Sequence, residues 1–451
     1  MNNTYLQYKY CLNKRYQKID GFGGAFTWYS DRVFSSERNT ASLLNALFTD
    51  AKLSIIRFKN EYSYYTAENA ENADVMVRIY KAAVEKAAVY GEKPIILLSC
   101  WSPPAYLKSN HNIVGGGTLA KHEDGTYMYE EYARWWVESV QYYSAQGVRI
   151  DYISIQNECD YVAEWDGCEF AQEETSAQAS YAKAFLSVYN AMKKKFGDRA
   201  PKMIAPETMS CEPTKLYAYV KDIIAIAPES IYGIGYHLYI GGVSDEDNNT
   251  VQYDSFSKNF MDMKKCFDKH TYARWQTEFF RGRGIQTAAL INNAMVQANM
   301  NGYIYWSTVW TDESAEFEAG ELISFQDENK VNNDGWSYCA DYFALRHFSE
   351  FIRPGYTRVE ASMQGGDDFR TSAYLSEDGK KLVLIVINLS KTEKILQIPG
   401  DKIVSSFLYQ SVLGLEDSSS NTLYENKGAL KTDSTAKIPG ESITTIVLML
   451  E

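Results

Sequence analysis

The sequence predicts an α/β chain, a (β/α)8 TIM barrel fused to a β-sandwich side domain built from both chain ends. Three observations carry this. Short apolar runs alternate with amphipathic helical windows from about residue 21 to about residue 348, the runs number eight, and helical periodicity stops after Phe351-Ile352-Arg353-Pro354-Gly355. A doubly wound open sheet is the structural alternative to the barrel.

The elements follow in order. Tyr5–Tyr10 reads as a strand ahead of the barrel, and it would leave an apolar face bare unless it pairs with the C-terminal strands. The eight runs are Gly21–Phe26, Leu53–Phe58, Pro94–Ser99, Tyr152–Gln156, Lys202–Ala205, Ile231–His237, Arg274–Thr277 and Tyr303–Trp306. Helical windows separate them. Ser35–Phe48 opens on an N-cap composition and puts Leu43, Leu44 and Leu47 on one face. Asp74–Tyr90, Tyr129–Tyr143, Ser176–Lys195, Thr214–Ile226 and Ile285–Met300 share that logic. Crossovers this long require parallel strands. Beyond Gly355 come strand runs Thr371–Leu375, Lys381–Asn388, Lys394–Ile398, Val404–Tyr409 and Ile443–Met449, with Glu377-Asp378-Gly379-Lys380 as a hairpin turn and Asp417–Asn421 as a surface loop. The expected division is residues 1–18 as an N-terminal sandwich strand, 19–353 as the barrel and 354–451 as the sandwich.

Composition narrows the function classes. Hydrophobic residues make up 45% and charged residues 23% of 451, which excludes wholesale disorder. No uninterrupted apolar run of about 18 residues is present, so no membrane helix is expected. A net charge of −13 is a poor match to nucleic acid or anionic lipid. With 35 Tyr and 9 Trp, the chain suits flat, uncharged, hydroxyl-rich ligands such as sugars as well as a packed core. The seven cysteines form no C-x-x-C pair; Cys159 and Cys168 are the only two that could bridge a loop. The first residues lack the basic and apolar run of a signal peptide, so the protein is intracellular or has lost its leader. Oligomeric state is not encoded in any pattern seen here.

The familiar motifs fail. There is no G-x-S-x-G elbow, no P-loop and no H-E-x-x-H, and Gly21-Phe22-Gly23-Gly24 lacks the spacing of a dinucleotide fingerprint. The five histidines form no close pair, and an EF-hand frame on Asp334-Gly335 would begin at Lys330, so neither a metal nor another cofactor is expected. What remains is carboxylate chemistry. Glu158 follows the fourth run and Glu278 the seventh. In a (β/α)8 barrel all strand C-termini open on one face, and strands four and seven sit across it. Paired carboxylates are what glycosidic hydrolysis needs, one to protonate the leaving oxygen and one to attack the anomeric carbon. A strand-end Glu taken alone could equally be a solvated loop acid.

At Ile19–Phe26, Trp101–Lys108, Ser154-Ile155-Gln156-Asn157-Glu158, Thr277-Glu278, Tyr305-Trp306-Ser307, His347–Gly355 and Ile438–Thr445, in that order, the chain resembles glycoside hydrolase family 30, a retaining family, over nearly its whole length. The resemblance implies a barrel fused to a β-sandwich, Glu158 as general acid/base and Glu278 as nucleophile. It places Asn157 against a sugar 2-hydroxyl, Arg57 against the nucleophile, Trp306 as a stacking floor and Trp101 as a wall. Tyr239, ending the sixth strand, could donate to Glu278, and His237 could be an ordinary core histidine.

For the substrate, glucosylceramidases of the family resemble Gly21–Thr27 but follow it with an Asp that grips glucose; here Trp28 stands there and favours a less substituted sugar. Lys108-Ser109-Asn110 with Gly115-Gly116-Gly117, and Arg353-Pro354-Gly355-Tyr356, resemble the xylanase branch. Its glucuronoxylanases carry an Arg in the loop after strand eight; here that loop has none and holds Asp327, Glu328 and Asp334. Arg281 and Arg283 could substitute as an anion site or be solvated charges. The expectation is an endo-β-1,4-xylanase not strictly dependent on glucuronate, acting on a polysaccharide or oligosaccharide. The alternatives are a related β-glycosidase on β-1,6-glucan, β-galactan or glucosylceramide, or a silent sugar-binding protein.

Overall fold

The chain begins with strand β1 (Leu6–Lys18), which stays out of the barrel's ring of strands and joins a side sheet. Eight strands then close a barrel: β2 (Gly21–Phe26), β3 (Ile55–Lys59), β4 (Ile95–Ser99), β5 (Tyr152–Ser154), β6 (Lys202–Ser210), β7 (Ile231–Ile240), β8 (Ala273–Glu278) and β9 (Gly302–Tyr305). Each pairs in parallel with its sequence neighbour, and β9 pairs with β2 to complete the ring. This computed structural model describes residues 5–62, 67–242, 244–245, 250–280, 283–310, 320–325, 335–364, 366–399, 403–414, 424–430 and 435–451.

All eight strands coincide with the predicted runs, and the six predicted helical windows hold helices. Two further helices, Ser257–Phe267 and Ala340–Ser349, carry no strong sequence signal. The first buries only Phe260, Met263 and Phe267 beneath a charged surface.

The barrel is a packed core. Ala25, Ile55, Leu97, Tyr152, Ile204, Trp275 and Ile304 fill its lower interior, one from each of seven strands. Trp275 fits because Gly302 faces it; a Cβ there would stand 2.9 Å from the indole. Gly23 is required for the same reason, since its Cβ would lie 1.9 Å from the Ile55 carbonyl oxygen. The Trp275 indole donates to Asp20 at 2.7 Å and the Tyr232 hydroxyl donates to it at 2.9 Å, which closes the floor. Period-two alternation then carries inward side chains up to the mouth: on β3, Ile55 lies in the floor and Arg57 and Lys59 follow it upward.

The side domain is a mixed sheet of nine strands. They are β1 with β10 (Thr357–Gln364), β11 (Phe369–Leu375), β12 (Lys381–Asn388), β13 (Lys394–Gln397), β14 (Ile403–Val412), β15 (Glu425–Gly428), β16 (Thr435–Ile438) and β17 (Ser442–Leu450). β1 pairs antiparallel with β10 and parallel with β13, so both chain ends build the sheet. β12 reads Leu-Val-Leu-Ile-Val-Ile because it is buried on both faces. Leu382, Leu384 and Val386 pack in the sheet's own core, while Val383, Ile385 and Ile387 pack on the barrel. His347 pins the two bodies: its ring nitrogens lie 2.8 Å from the Thr445 hydroxyl and 2.9 Å from that of Ser411, and burial pushes it down to about 3. The hairpin at Glu377–Lys380 is present, with Gly379 at φ +74°. The predicted loop at Asp417–Asn421 lies outside the described residues.

Tyr8 ties β1 to this core; it is 1% exposed and its hydroxyl donates to the Ser372 carbonyl at 2.9 Å. Tyr8→Ala is expected to cost about 3–5 kcal/mol by removing a large buried ring, and Tyr8→Phe about 0.5–1.5 kcal/mol by removing one hydrogen bond. Urea unfolding midpoints check this, and equal losses in both variants would contradict the packing role of the ring.

Candidate active site

Arg57 rises from β3 into the barrel mouth and is 0% exposed. Its Nη1 donates to Glu278 Oε2 at 2.5 Å, its Nη2 to Asn157 Oδ1 at 2.6 Å and to Glu207 Oε2 at 3.3 Å, and its Nε to Ser99 Oγ at 3.2 Å. Glu207 Oε1 also lies 3.2 Å from Nε. A planar guanidinium can hold acceptors from four strands or strand ends at once; an ammonium cannot. The guanidinium also lies 4.5 Å over the Trp101 ring. Burial works against the Arg57 charge, and the Glu207 and Glu278 carboxylates hold it charged.

Glu278 ends β8 and accepts a second hydrogen bond, from the Tyr239 hydroxyl at 3.0 Å. Glu158 follows β5 in a left-handed backbone conformation, φ +48°, and its N–H donates to the Glu207 carbonyl at 2.9 Å. A non-glycine residue there is strained, a feature that surroundings must enforce. His237 bridges the two carboxyls. Its Nδ1 lies 2.9 Å from Glu158 Oε1 and its Nε2 lies 4.0 Å from Glu278 Oε2. One oxygen of each carboxyl and a His237 nitrogen therefore lie within 4.8 Å of one another.

The electrostatics separate the two acids. Burial, then the Asp160 charge, pushes Glu158 up to about 8, with Arg57 opposing. Burial raises Glu278 as well, but His237 and Arg57 pull against it. Only Glu278 touches the guanidinium, so it loses its proton first. Burial pushes His237 below its ordinary value, against the opposing pull of the Glu278 charge. Two carboxylates and a histidine are also a donor set for a divalent cation. Here Arg57 already supplies a fixed positive charge at Glu278, which a second cation would have to oppose.

Above the pair lies a cavity of about 410 Å³, lined by Trp28, Tyr29, Trp101, Glu158, Trp165, Met209, Tyr239, Glu278, Phe280, Trp306, Ser307, Trp310 and Gly320. Trp28 sits edge-on to both Trp101 and Trp306, with ring centres 5.9 and 5.8 Å away. Lys59 holds Trp28 from below at 4.7 Å and pairs with Asp166 at 2.6 Å. Apart from Glu158 and Glu278 no lining residue carries a charge among the described residues.

Six residues singled out from sequence line this cavity, namely Glu158, Glu278, Trp28, Trp101, Tyr239 and Trp306. Arg57 and Asn157 stand beneath it. Arg283 does not line it and acts instead on buried Asp341. Arg281, Asp327, Glu328 and Asp334 lie outside the described residues. Glu207 went unnoticed, because Pro206 separates it from the predicted run Lys202–Ala205 and nothing local marks it. Trp165, Tyr29, Phe280 and Trp310 offered only their aromatic character. All seven cysteines are free, Cys159 and Cys168 included.

Residues 21–186 match the model of the glycosyl hydrolase family 30 TIM-barrel domain. A relative in Bacillus subtilis (strain 168), glucuronoxylanase XynC, is 25% identical over 441 residues, covering 96% of this chain and 89% of its own. Endo-1,6-β-D-glucanase BGN16.3 of Trichoderma harzianum is 22% identical over 418 residues, 82% of this chain and 77% of its own. The catalytic domain of GH30 xylanase C from Talaromyces cellulolyticus superposes with a TM-score of 0.74 at 20% identity, covering 98% of this chain and 100% of that one. Site, fold and relatives converge on glycoside hydrolase family 30, whose TIM-barrel model matches residues 21–186 of this chain.

Proposed function

We propose that this hydrolase cleaves β-1,4-xylan or its oligosaccharides by double displacement, with Glu278 as nucleophile and Glu158 as acid/base. The observation that carries the mechanism is the spacing and asymmetry of the pair. One oxygen of each carboxyl lying within 4.8 Å suits the retaining separation of about 5–5.5 Å better than the inverting separation of about 6.5–9.5 Å. In the first step a Glu278 oxygen bonds to the anomeric carbon as the glycosidic C–O bond breaks, and the Glu158 proton goes to the leaving oxygen. In the second step Glu158 takes a proton from water, whose oxygen displaces Glu278. Asn157 gives its carbonyl oxygen to Arg57, so its NH2 is left for the sugar 2-hydroxyl.

The substrate reading rests on the cavity and on the relatives. A neutral aromatic lining favours an uncharged, flat sugar. Trp28 occupies the position where the glucosylceramidase pattern calls for an acid, which favours xylose over glucose. Both glucuronoxylanase and xylanase relatives support xylan. Among the described lining residues no cation faces a uronate. A product-release screen on linear xylan, glucuronoxylan, β-1,6-glucan and galactan tests this. Linear xylan should be cut at least as well as glucuronoxylan, without cleavage fixed by the uronate. Release from β-1,6-glucan or galactan alone would overturn it.

Glu278→Gln should abolish turnover while keeping xylo-oligosaccharide affinity, and wild-type turnover would remove Glu278 from the nucleophile role. For Glu158 the sign is set by its proton: activity requires the acid form, so kcat/KM should fall as pH rises through about 8. Glu158→Gln should lose that limb and about 10²–10⁴-fold in kcat. A limb that survives the substitution would belong to another group. Exhaustive chelation should leave activity intact; loss with recovery on adding calcium or zinc would place an ion among Glu158, His237 and Glu278.

A further inference from the structure

We infer that Glu207 is a positioning residue for this reaction: as the second counter-charge on Arg57, it divides the guanidinium between two carboxylates and so sets how much positive charge reaches Glu278. This rests on the reading of Glu278 as nucleophile.

Three observations and one chemical argument carry it. Glu207 is 0% exposed and does not line the cavity, so it does not touch the sugar. Both its oxygens face Arg57, at 3.2 and 3.3 Å, while the other edge of the same guanidinium holds Glu278 at 2.5 Å. Its backbone is left-handed at φ +56°, as that of Glu158 is at +48°, and the two are joined by the Glu158 N–H to Glu207 carbonyl hydrogen bond. A carboxylate buried purely for stability has no need of a strained backbone coupled to the other acid's strained backbone. Lastly, an Arg placed against one carboxylate alone would hold it as a tight, weakly nucleophilic ion pair; sharing the cation leaves Glu278 ionised yet reactive.

The charged groups around Glu207 define what its removal does. Arg57 faces it from β3 and His237 from β7, and the hydroxyls of Ser154 on β5 and Thr277 on β8 also favour its charged form. Burial works to raise its carboxyl, and these partners hold it below its ordinary value, so it is anionic when the enzyme works. Glu158 feels that anion together with Asp160, which is itself paired with Lys215 at 2.7 Å. Glu278 faces Arg57, His237, Glu158 and Tyr239.

Glu207→Gln keeps the shape and removes the charge. Arg57 then acts on Glu278 undivided, and Glu158 loses a neighbouring anion. Both limbs of the pH–rate profile should move to lower pH by about 1 unit, and kcat should fall roughly 10- to 100-fold with KM little changed. A residue that merely props Arg57 gives the opposite sign: the guanidinium slackens, Glu278 loses its cation and the acid limb moves to higher pH. That result, or limbs that do not move in a folded variant, would overturn the proposal. Glu207→Asp is the second variant; it retains the charge, so its limbs should stay at wild-type pH even if kcat drops, and displaced limbs would overturn the proposal equally. Glu278→Gln run alongside separates the two readings, because turnover by that variant refutes the nucleophile assignment whatever Glu207 does.

Discussion

Everything at the mouth of this barrel depends on one buried guanidinium. Taking an Arg out of water is costly unless its donors are met and its charge is balanced. Arg57 meets both conditions by reaching Ser99 on β4, Asn157 after β5, Glu207 on β6 and Glu278 on β8. The same bonds that make the charge tolerable fix the relative positions of those strand ends. The site is therefore organised by the solution to a desolvation problem, and the proposed nucleophile is one of the solution's parts.

That solution needs a rigid support. Positive φ at Glu158 and Glu207 is tolerable only where the backbone is held, and here the two strained residues hold each other through a backbone hydrogen bond. Beneath them Trp275 locks against Gly302 and Asp20, which leaves the floor no slack. The side sheet stiffens the opposite side of the helix Ala340–Ser349 through His347 and the barrel-facing half of β12. The N-terminal strand contributes by completing the sheet on which that helix rests and, at its end, by Gln17 donating to the Met295 and Met300 carbonyls of the barrel.

The barrel was legible because eight apolar runs with helical spacers leave few alternatives, and Glu158 and Glu278 were legible because strand ends converge. The rest was hidden for physical reasons. Ser257–Phe267 has three buried side chains under a charged coat, too thin a stripe for periodicity to reveal. β10, Thr-Arg-Val-Glu-Ala-Ser-Met-Gln, alternates weakly because it lies between neighbours that supply most of the apolar surface. Glu207 carries no local signature, since its meaning lies in a 3 Å relation to a residue 150 positions earlier. His237 could be read as a core histidine, and it is one by burial; only its distances to both carboxyls show the rest.

The proposed division of labour between two equally buried acids rests on their partners rather than on depth. Glu158 and Glu278 are both nearly closed off from solvent, and burial pushes each toward its neutral form. Were burial the whole story, neither could attack a sugar. Of these two acids Arg57 touches only Glu278, and this breaks the tie, while His237 Nδ1 lies within hydrogen-bond distance of Glu158. Asp160 and Glu207 add negative potential on the Glu158 side and hold its proton on. One cation set against Glu207 and Glu278 leaves the buried layer anionic overall, and the cavity above adds no compensating cation among its described residues. A uronate entering there would meet like charge in a low-dielectric setting, whereas a neutral pyranose meets tryptophan faces and hydrogen-bonding edges. The proposed preference for an uncharged sugar thus rests on the same charge placement as the proposed split between acid and nucleophile.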